Sequence, residues 1–174
     1  MERGEFKLKN ILVISDTHGN HSAIENLLKN YNSQISAVIH LGDHARDMAR
    51  FVNYSNTTIY ITNGNTDPVL DIYTERVIET AGKRIFITHG HFYDVKLRLD
   101  RLVYKARELK VDACLYGHTH KAHFFTENDI FFLNPGSLSH YQAKNDRHYA
   151  ILHIDDDKVT GKILNYKEPV WQNL

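Results

Sequence analysis

The chain has 174 residues, 42% hydrophobic and 24% charged, enough to bury the core of one globular domain over residues 1–174. Twenty-one Lys plus Arg balance twenty-one Asp plus Glu, so no global charge draws the protein to nucleic acid or to an anionic membrane. A single cysteine, Cys114, excludes a disulfide framework and fits a reducing compartment. Met1 to Lys9 is polar and no apolar run could cross a bilayer, so a cytoplasmic location is expected.

The chain opens on a strand. Ile11-Leu12-Val13-Ile14 is a continuous apolar run, as in a strand buried on both faces, and it gives way to Ser15-Asp16-Thr17-His18-Gly19-Asn20, the chemistry of a turn. If the chain stays extended through Thr17, Asp16 and His18 leave the same face and can converge on one cation. A carboxylate oxygen with an imidazole nitrogen suits Mn, Fe, Co or Zn better than Ca or Mg. The same tripeptide also occurs in plain turns whose Asp caps the next helix.

Ile24, Leu27, Leu28 and Tyr31 then recur at helical spacing behind a candidate capping box, Ser22-Ala23-Ile24-Glu25. Ile35 to Leu41 reads as a second strand ending at Gly42-Asp43-His44, with Met48, Phe51 and Val52 marking a short helix that His44 would begin. Thr57 to Thr62 reads as a third, closed by Asn63-Gly64-Asn65-Thr66-Asp67-Pro68. Glu75 to Ala81 and Lys83 to Thr88 flank Gly82 as a tight hairpin running into His89-Gly90-His91. Leu99, Leu102, Val103 and Ala106 give a helix of roughly three turns. Val111 to Tyr116 is another buried strand, stopping at Gly117-His118-Thr119-His120. Beyond Ala122 the helices give way to short, mostly antiparallel strands. An α/β half followed by a β-rich half predicts two packed sheets with helices outside.

The twelve histidines outnumber the nine glycines, a reversal of ordinary usage, and the position of several of them is informative. Asp16 and His18 follow the first strand, Asp43 the second, Asn65 the third, His89 the hairpin, and His118 with His120 the later buried strand. Ligand sites in α/β sheets form at the carboxyl ends of strands, so seven donors from five strand tips can share one cleft. Any one of these motifs alone is an ordinary turn. Together they could hold two cations roughly 3.5 to 4 Å apart with a hydroxide between them, binding the non-bridging oxygens of a phosphate during an in-line displacement. No Ser, Cys or Lys nucleophile is then needed.

As an ordered series, Asp16-x-His18, Gly42-Asp43, Gly64-Asn65, His89-Gly90-His91 and Gly117-His118-x-His120 resemble the motifs of the calcineurin-like metallophosphoesterases, and their spacing is similar to that of the small YfcE-like phosphodiesterase branch. The resemblance covers nearly the whole chain. It implies an α/β fold of four layers, an αββα sandwich of two mixed β-sheets packed face to face with helices outside. It also implies two divalent metal ions, with Asp16, His18 and His120 on the first, Asn65, His89 and His118 on the second, and Asp43 bridging. Mn is the preferred metal of the branch, with Ni, Zn, Fe or Co substituting. Asp43, Asn65 and His118 are the expected catalytic residues, and Asn65, Thr66 and His91 the expected substrate contacts. The implied reaction is hydrolysis of a small phosphate ester, a phosphodiester before a monoester, by a metal-bridging hydroxide.

Several positions depart from that pattern or stay open. Many larger relatives carry His directly after the motif Asn, to protonate or stabilise the leaving oxygen, whereas this chain has Thr66. A hydroxyl cannot deliver a proton near pH 7, and general acid catalysis is typically worth roughly 10² to 10⁴ in rate. Asp67 is either an orienting partner of a ligand or a turn Asp before Pro68. Asn134-Pro135-Gly136-Ser137 resembles a further stretch of the branch and also satisfies a type II turn, but the Pro and basic residue that often follow are replaced by Leu138-Ser139-His140-Tyr141. Lys96, Arg98, Arg101, Lys105 and Arg107 are diluted by Asp94, Asp100 and Glu108 and read as a solvated helix face. Phe124, Phe125, Phe131 and Phe132 span both faces of a hairpin. Core packing accounts for one face and leaves the other for a partner or a second subunit in a homo-oligomer.

The alternative function is a non-catalytic metal-binding scaffold resembling the vacuolar sorting subunit of the retromer. A nuclease would need basic surfaces that this neutral chain lacks, and a structural zinc site would be built on Cys ligands that are absent here.

Overall fold

A computed structural model describes residues 9–53, 57–68 and 73–167, without the side chain of Lys144. Apart from Lys9, the polar N-terminal stretch lies outside the described residues. Sheet A has the strand order β10-β9-β1-β2-β3, and sheet B the order β4-β5-β6-β8-β7. In sheet A these are β1 (Lys9–Ile14), β2 (Ala37–His40), β3 (Thr58–Ile61), β9 (His148–Ile154) and β10 (Val159–Asn165). In sheet B they are β4 (Glu75–Thr80), β5 (Lys83–Thr88), β6 (Ala113–Leu115), β7 (His123–Glu127) and β8 (Ile130–Asn134).

Period-two alternation in β1 explains its unbroken apolar run. Ile11 and Val13 face the space between the sheets, where they join Ile39, Ile85, Ile87, Leu115, Leu133 and Leu152. Leu12 and Ile14 face outward, onto Ile24, Leu27 and Leu28 of helix α1 (His21–Tyr31) and Met48 of a 3₁₀ turn over Ala45–Phe51. Sheet B repeats the arrangement. Phe86, Cys114 and Phe132 point away from sheet A and pack on Leu102, Val103 and Ala106 of helix α2 (Asp100–Glu108). Two mixed sheets therefore lie face to face with a helical layer on each outer side. Each fully buried Leu, Ile or Phe in these layers contributes about 1.5–3 kcal/mol.

Strands β1, β2 and β3 run parallel, as do β5, β6 and β8, so each sheet gathers three strand ends along one edge. The two edges meet at one rim. The Asp16 amide donates to the Gly42 carbonyl at 3.0 Å within sheet A's edge, and the His118 amide of sheet B donates to Asp16 Oδ2 at 3.1 Å.

Local expectations are met at the β4–β5 hairpin, where Ala81 and Gly82 both take the positive φ of a two-residue primed turn. Cys114 is a buried core residue with its thiol pushed up by burial. Around α2, Arg98 pairs with Asp100, Arg101 with Asp94 and Lys105 with Glu108, as a solvated face should. Two expectations need correction. Ser22 does not cap α1; Asn20 does, accepting the Ala23 amide at 3.2 Å, because the chain reaches the helix one residue after Gly19. His44 precedes its helix rather than beginning it, in the left-handed region at φ 65, and the helix is 3₁₀.

Candidate metal centre

The loop after β1 is not extended. Asp16 and His18 both adopt positive φ, 52° and 43°, so their convergence comes from a left-handed turn and not from strand alternation. Asp43, His118 and His120 share that conformation, at φ 54°, 69° and 59°. Non-glycine residues rarely accept it, and each such position costs on the order of 1–3 kcal/mol that the surrounding structure must offset. Its concentration on five of the seven candidate ligands marks a site in which side-chain direction outweighs backbone comfort.

Two groups of donors result. Asp16, His18, Asp43 and His120 bring ligand atoms within 4.8 Å of one another, and Asp43, His89 and His118 do the same. Asp43 belongs to both. In the first group His120 Nε2 lies 3.0 Å from Asp16 Oδ1 and His18 Nε2 lies 3.7 Å from Asp43 Oδ2. In the second, His89 Nε2 lies 3.4 Å from Asp43 Oδ1 and 3.1 Å from His118 Nδ1.

Hydrogen bonds set which atoms are free to ligate. His89 Nδ1 sits 2.7 Å from the Leu41 carbonyl, which can only accept, so Nδ1 carries the proton and Nε2 presents a lone pair to the centre. Asp16 Oδ2 accepts from the Ser15 hydroxyl at 2.5 Å and from the His118 amide at 3.1 Å, leaving Oδ1 as the inward oxygen. His18 Nε2 is buried without a hydrogen bond, and the inward Asp16 Oδ1 has only the His120 imidazole beside it. Buried polar atoms normally have partners. An unpartnered imidazole nitrogen within a clustered N and O donor set is what a divalent transition metal would satisfy, so the residues present fit such an ion.

Protonation follows the same logic. Burial pushes the Asp16 carboxyl up, yet the His120 imidazole, the nearby His89 and the Ser15 hydroxyl outweigh it and hold the group below the ordinary carboxylate range. Burial lowers His18 against the pull of Asp43 and Asp16, and burial, His89 and Lys96 bring His118 down to about 4. His120 alone moves up, through its contact with Asp16. A neutral imidazole is the form that binds a metal.

Glycines let the strand ends approach. A Cβ on Gly64 would lie 2.2 Å from Asp43 Oδ1, and one on Gly117 would lie 2.1 Å from Ser15 Oγ and 3.0 Å from Asp16 Oδ2. Neither contact can be relieved without displacing a candidate ligand or its partner.

The remaining predicted residues lie around this centre. Thr66 is exposed, and its amide donates to Asp43 Oδ1 at 3.0 Å. Asn65 is exposed in the same turn, between Gly64 and Thr66. His91 is half-buried, 5.4 Å from the His89 ring and 6.1 Å from the His118 ring, with Nδ1 buried and lacking a hydrogen bond. The His44 ring stacks at a tilt 5.0 Å from His18, and Tyr141 meets the same ring edge-on at 6.4 Å. Asp67 ties the turn to its neighbour, accepting the Ala45 amide at 2.7 Å and the Gly64 amide at 2.8 Å. It orients backbone rather than an imidazole.

Sequence reasoning singled out the stretch 134–137 without its contacts and missed the other residues that hold the ligand loops. Asp47 Oδ2 accepts the Thr17 hydroxyl at 2.6 Å and the Gly19 amide at 2.8 Å, and Oδ1 lies 3.1 Å from His21 Nε2. The Gly42 amide donates to His40 Nδ1, so His40 Nε2 carries the proton and donates to Thr17 Oγ1 at 3.1 Å. Ser137 Oγ donates to the Asp16 carbonyl at 2.9 Å, Asn20 Nδ2 to the Leu138 carbonyl at 2.6 Å, and Asn134 Nδ2 to the Gly117 carbonyl at 2.8 Å. Gln142 Nε2 stands 2.9 Å from His120 Nδ1, and its amide, turned over, would accept from that nitrogen. The sequence signals were the excess of histidine, which includes His40, and the Asn134-Pro135-Gly136-Ser137 stretch, which supplies Asn134 and Ser137.

Comparison with known proteins gives the site its context. The family model for the calcineurin-like phosphoesterase superfamily domain matches residues 10–157. The probable metallophosphoesterase YsnB of Bacillus subtilis is 28% identical over 151 residues, 87% of this chain and 88% of that protein. The phosphodiesterase MJ0936 of Methanocaldococcus jannaschii is 30% identical over 146 residues, 74% and 84% of the two chains. Among solved structures, a predicted phosphoesterase from Streptococcus pneumoniae superposes with a TM-score of 0.77 at 30% identity, covering 97% of this chain and 95% of its own. Vps29 from Entamoeba histolytica superposes with a TM-score of 0.67 at 22% identity over 91% and 99%, a likeness of fold alone. Paired sheets with clustered carboxylates and imidazoles along one rim define a metal-dependent phosphoesterase. The chain belongs to the calcineurin-like phosphoesterase superfamily.

Proposed function

We propose that the protein is a dinuclear-metal phosphodiesterase acting on a small phosphate ester in the cytoplasm. The observation that carries this is the sharing of Asp43 between two donor groups, since one carboxylate with an oxygen toward each group is the arrangement that joins two cations. Asp16, His18 and His120 would hold the first ion and Asn65, His89 and His118 the second, with Mn²⁺ preferred over Ni²⁺, Zn²⁺, Fe²⁺ or Co²⁺. Bound there, the ions would supply Lewis acidity to the phosphate oxygens and acidify the attacking water.

The chain's own residues do the rest. Leu41 fixes the His89 tautomer and Ser15 turns the Asp16 carboxylate, so the donors are aimed before any ligand arrives. Asn65, Thr66 and His91 border the second donor group, where they would contact the substrate. No histidine follows Asn65, so the leaving oxygen departs without a strong general acid. The scaffold alternative draws on the Vps29 likeness, but a scaffold has no use for five strained, converging donors.

The test is metal-stripped protein reconstituted separately with Mn²⁺, Zn²⁺, Ni²⁺ and Mg²⁺ and assayed on bis(4-nitrophenyl) phosphate and 4-nitrophenyl phosphate. Diester turnover highest with Mn²⁺ is expected. Absence of turnover with every metal, together with no metal binding by calorimetry, would overturn it.

A further inference from the structure

The segment that carries His118 and His120 also walls a second space. A cavity of about 490 Å³ opens beside Thr119 and is lined by Val95, Leu99, Tyr116, Lys96, Lys121 and His123. Its base is apolar and firm, with Val95 and Tyr116 buried at 5% and 2% exposure. Thr119 is pinned by hydrogen bonds from Asn134 Nδ2 at 3.0 Å and from the Lys121 amide at 3.1 Å. Thr119 stands between His118 and His120 in the chain, and Val95 and Tyr116 pack beside Gly90, the residue after His89, so the cavity wall is continuous with the loops that carry three candidate ligands.

Its charge is one-sided. Lys96 and Lys121 are exposed, no Asp or Glu lines the cavity, and neither lysine makes an ion pair among the described residues. Nearby cations behave otherwise: Arg98, Arg101 and Lys105 are each matched with a carboxylate. Two unpaired ammonium groups above an apolar base form a receptor for a flat or apolar group that carries its own negative charge.

We propose that this cavity receives the arm of the ester beyond the scissile phosphate, and that it selects substrates whose apolar or aromatic arm bears a second anionic group, a carboxylate or another phosphate. The proposal rests on the phosphoesterase reading above and adds the substrate class to it.

Two measurements test it, one without turnover. Calorimetry on the metal-loaded protein and on the chelated protein compares 4-carboxybenzylphosphonate and 1,4-xylylenediphosphonate with the neutral-armed 4-carbamoylbenzylphosphonate, which also separates a carboxylate from a second phosphate-like anion. Both charged-arm ligands, or one of them, should bind more tightly than the neutral-armed one. That advantage should shrink by about three-fold in each of Lys96→Met and Lys121→Met and about ten-fold in the double variant, the size of exposed ion pairs that add. Lys→Gln at the same positions, with folding checked by circular dichroism, should repeat the result. The second measurement is kcat/KM for bis(4-carboxyphenyl) phosphate relative to bis(4-carbamoylphenyl) phosphate. The wild-type to variant change in that ratio cancels intrinsic leaving-group reactivity, and it should follow the binding data. Equal affinity for charged and neutral arms, or an equal loss for both in the variants, overturns the proposal. If neither ester is hydrolysed with any metal, the phosphoesterase reading fails, and the calorimetry still decides the subsite.

Discussion

Asp43 stands between two histidines delivered by different sheets, with Oδ2 3.7 Å from His18 Nε2 and Oδ1 3.4 Å from His89 Nε2. An Asn at this position would keep the acceptor for the Thr66 amide and lose the charge that the two donor groups share. Asp43→Asn is therefore expected to lower diester turnover on the order of a thousand-fold or more while the melting temperature of the metal-free protein stays within a few degrees. Elemental analysis should find metal content reduced from two ions toward one. A variant that retains both ions and full turnover would contradict a shared carboxylate.

Asp47 binds no metal in this scheme, yet its Oδ2 holds the Thr17 hydroxyl and the Gly19 amide that shape the first loop. Asp47→Ala leaves both donors without their acceptor, at an expected cost of about 1–3 kcal/mol in denaturant unfolding. Because His18 rides on that loop, Mn²⁺ affinity should weaken by roughly 10- to 100-fold. Titration calorimetry reads the second effect separately from the first.

His40 is fully buried beneath the same loop, and burial brings its pKa down to about 4 despite the opposing pull of Asp67, Asp47 and Asp16. Between pH 6.5 and 4 the unfolded chain binds a proton on this residue that the folded chain refuses. Stability contributed by the neutral imidazole is thus complete above pH 6.5 and declines as the pH falls through that window, by roughly 3 kcal/mol. Metal-free His40→Gln should show a flatter stability profile from pH 6.5 to 4 in urea titrations, and an unchanged slope would assign the effect elsewhere.

Thr66 replaces a proton donor with a hydroxyl, so breakage of the ester bond depends on the acidity of the leaving group. A plot of log kcat/KM against leaving-group pKa for aryl diesters should be steep. Thr66→His is expected to flatten it and to raise turnover of poor leaving groups by roughly 10²-fold or more. Parallel plots for the two proteins would count against a missing acid.

The buried His18 Nε2 has no hydrogen bond and is destabilising until an ion satisfies it. Mn²⁺ at a hundred times its dissociation constant should raise stability by about 2.7 kcal/mol, seen as a melting shift of several degrees that a chelator reverses. Mg²⁺ at the same concentration should do less, since imidazole nitrogens suit it poorly.

Much of this protein is legible in its residues taken in order. Each of β1, β2, β5, β6 and β8 announces itself as a mainly apolar run that gives way within a few residues to Gly, Asp, His or Asn, because the middle of a strand buried on both faces favours apolar side chains. The αββα layering follows from those runs together with the helical spacing of Ile24, Leu27 and Leu28 and of Leu102, Val103 and Ala106. The ligand types are legible only as a series: a single imidazole or carboxylate at a strand tip is an ordinary turn residue, whereas seven donors at five strand tips exceed what turns require.

What the order of residues could not decide was how those tips meet. Alternation along an extended chain was the expected route for Asp16 and His18, whereas the fold uses a left-handed turn braced by Asp47, His40 and Ser137, residues that lie 30, 23 and 121 positions from the groups they hold. A tautomer such as that of His89 depends on a carbonyl 48 positions away, and a cavity such as that beneath Lys96 and Lys121 exists only once α2's approach packs beside the β6 strand end. Local propensity acts over a few residues, and so it determined the strands and their chemistry. Hydrogen bonds and close approaches between distant segments are made only when the two sheets stack, and so the aim of every donor was left to the tertiary structure.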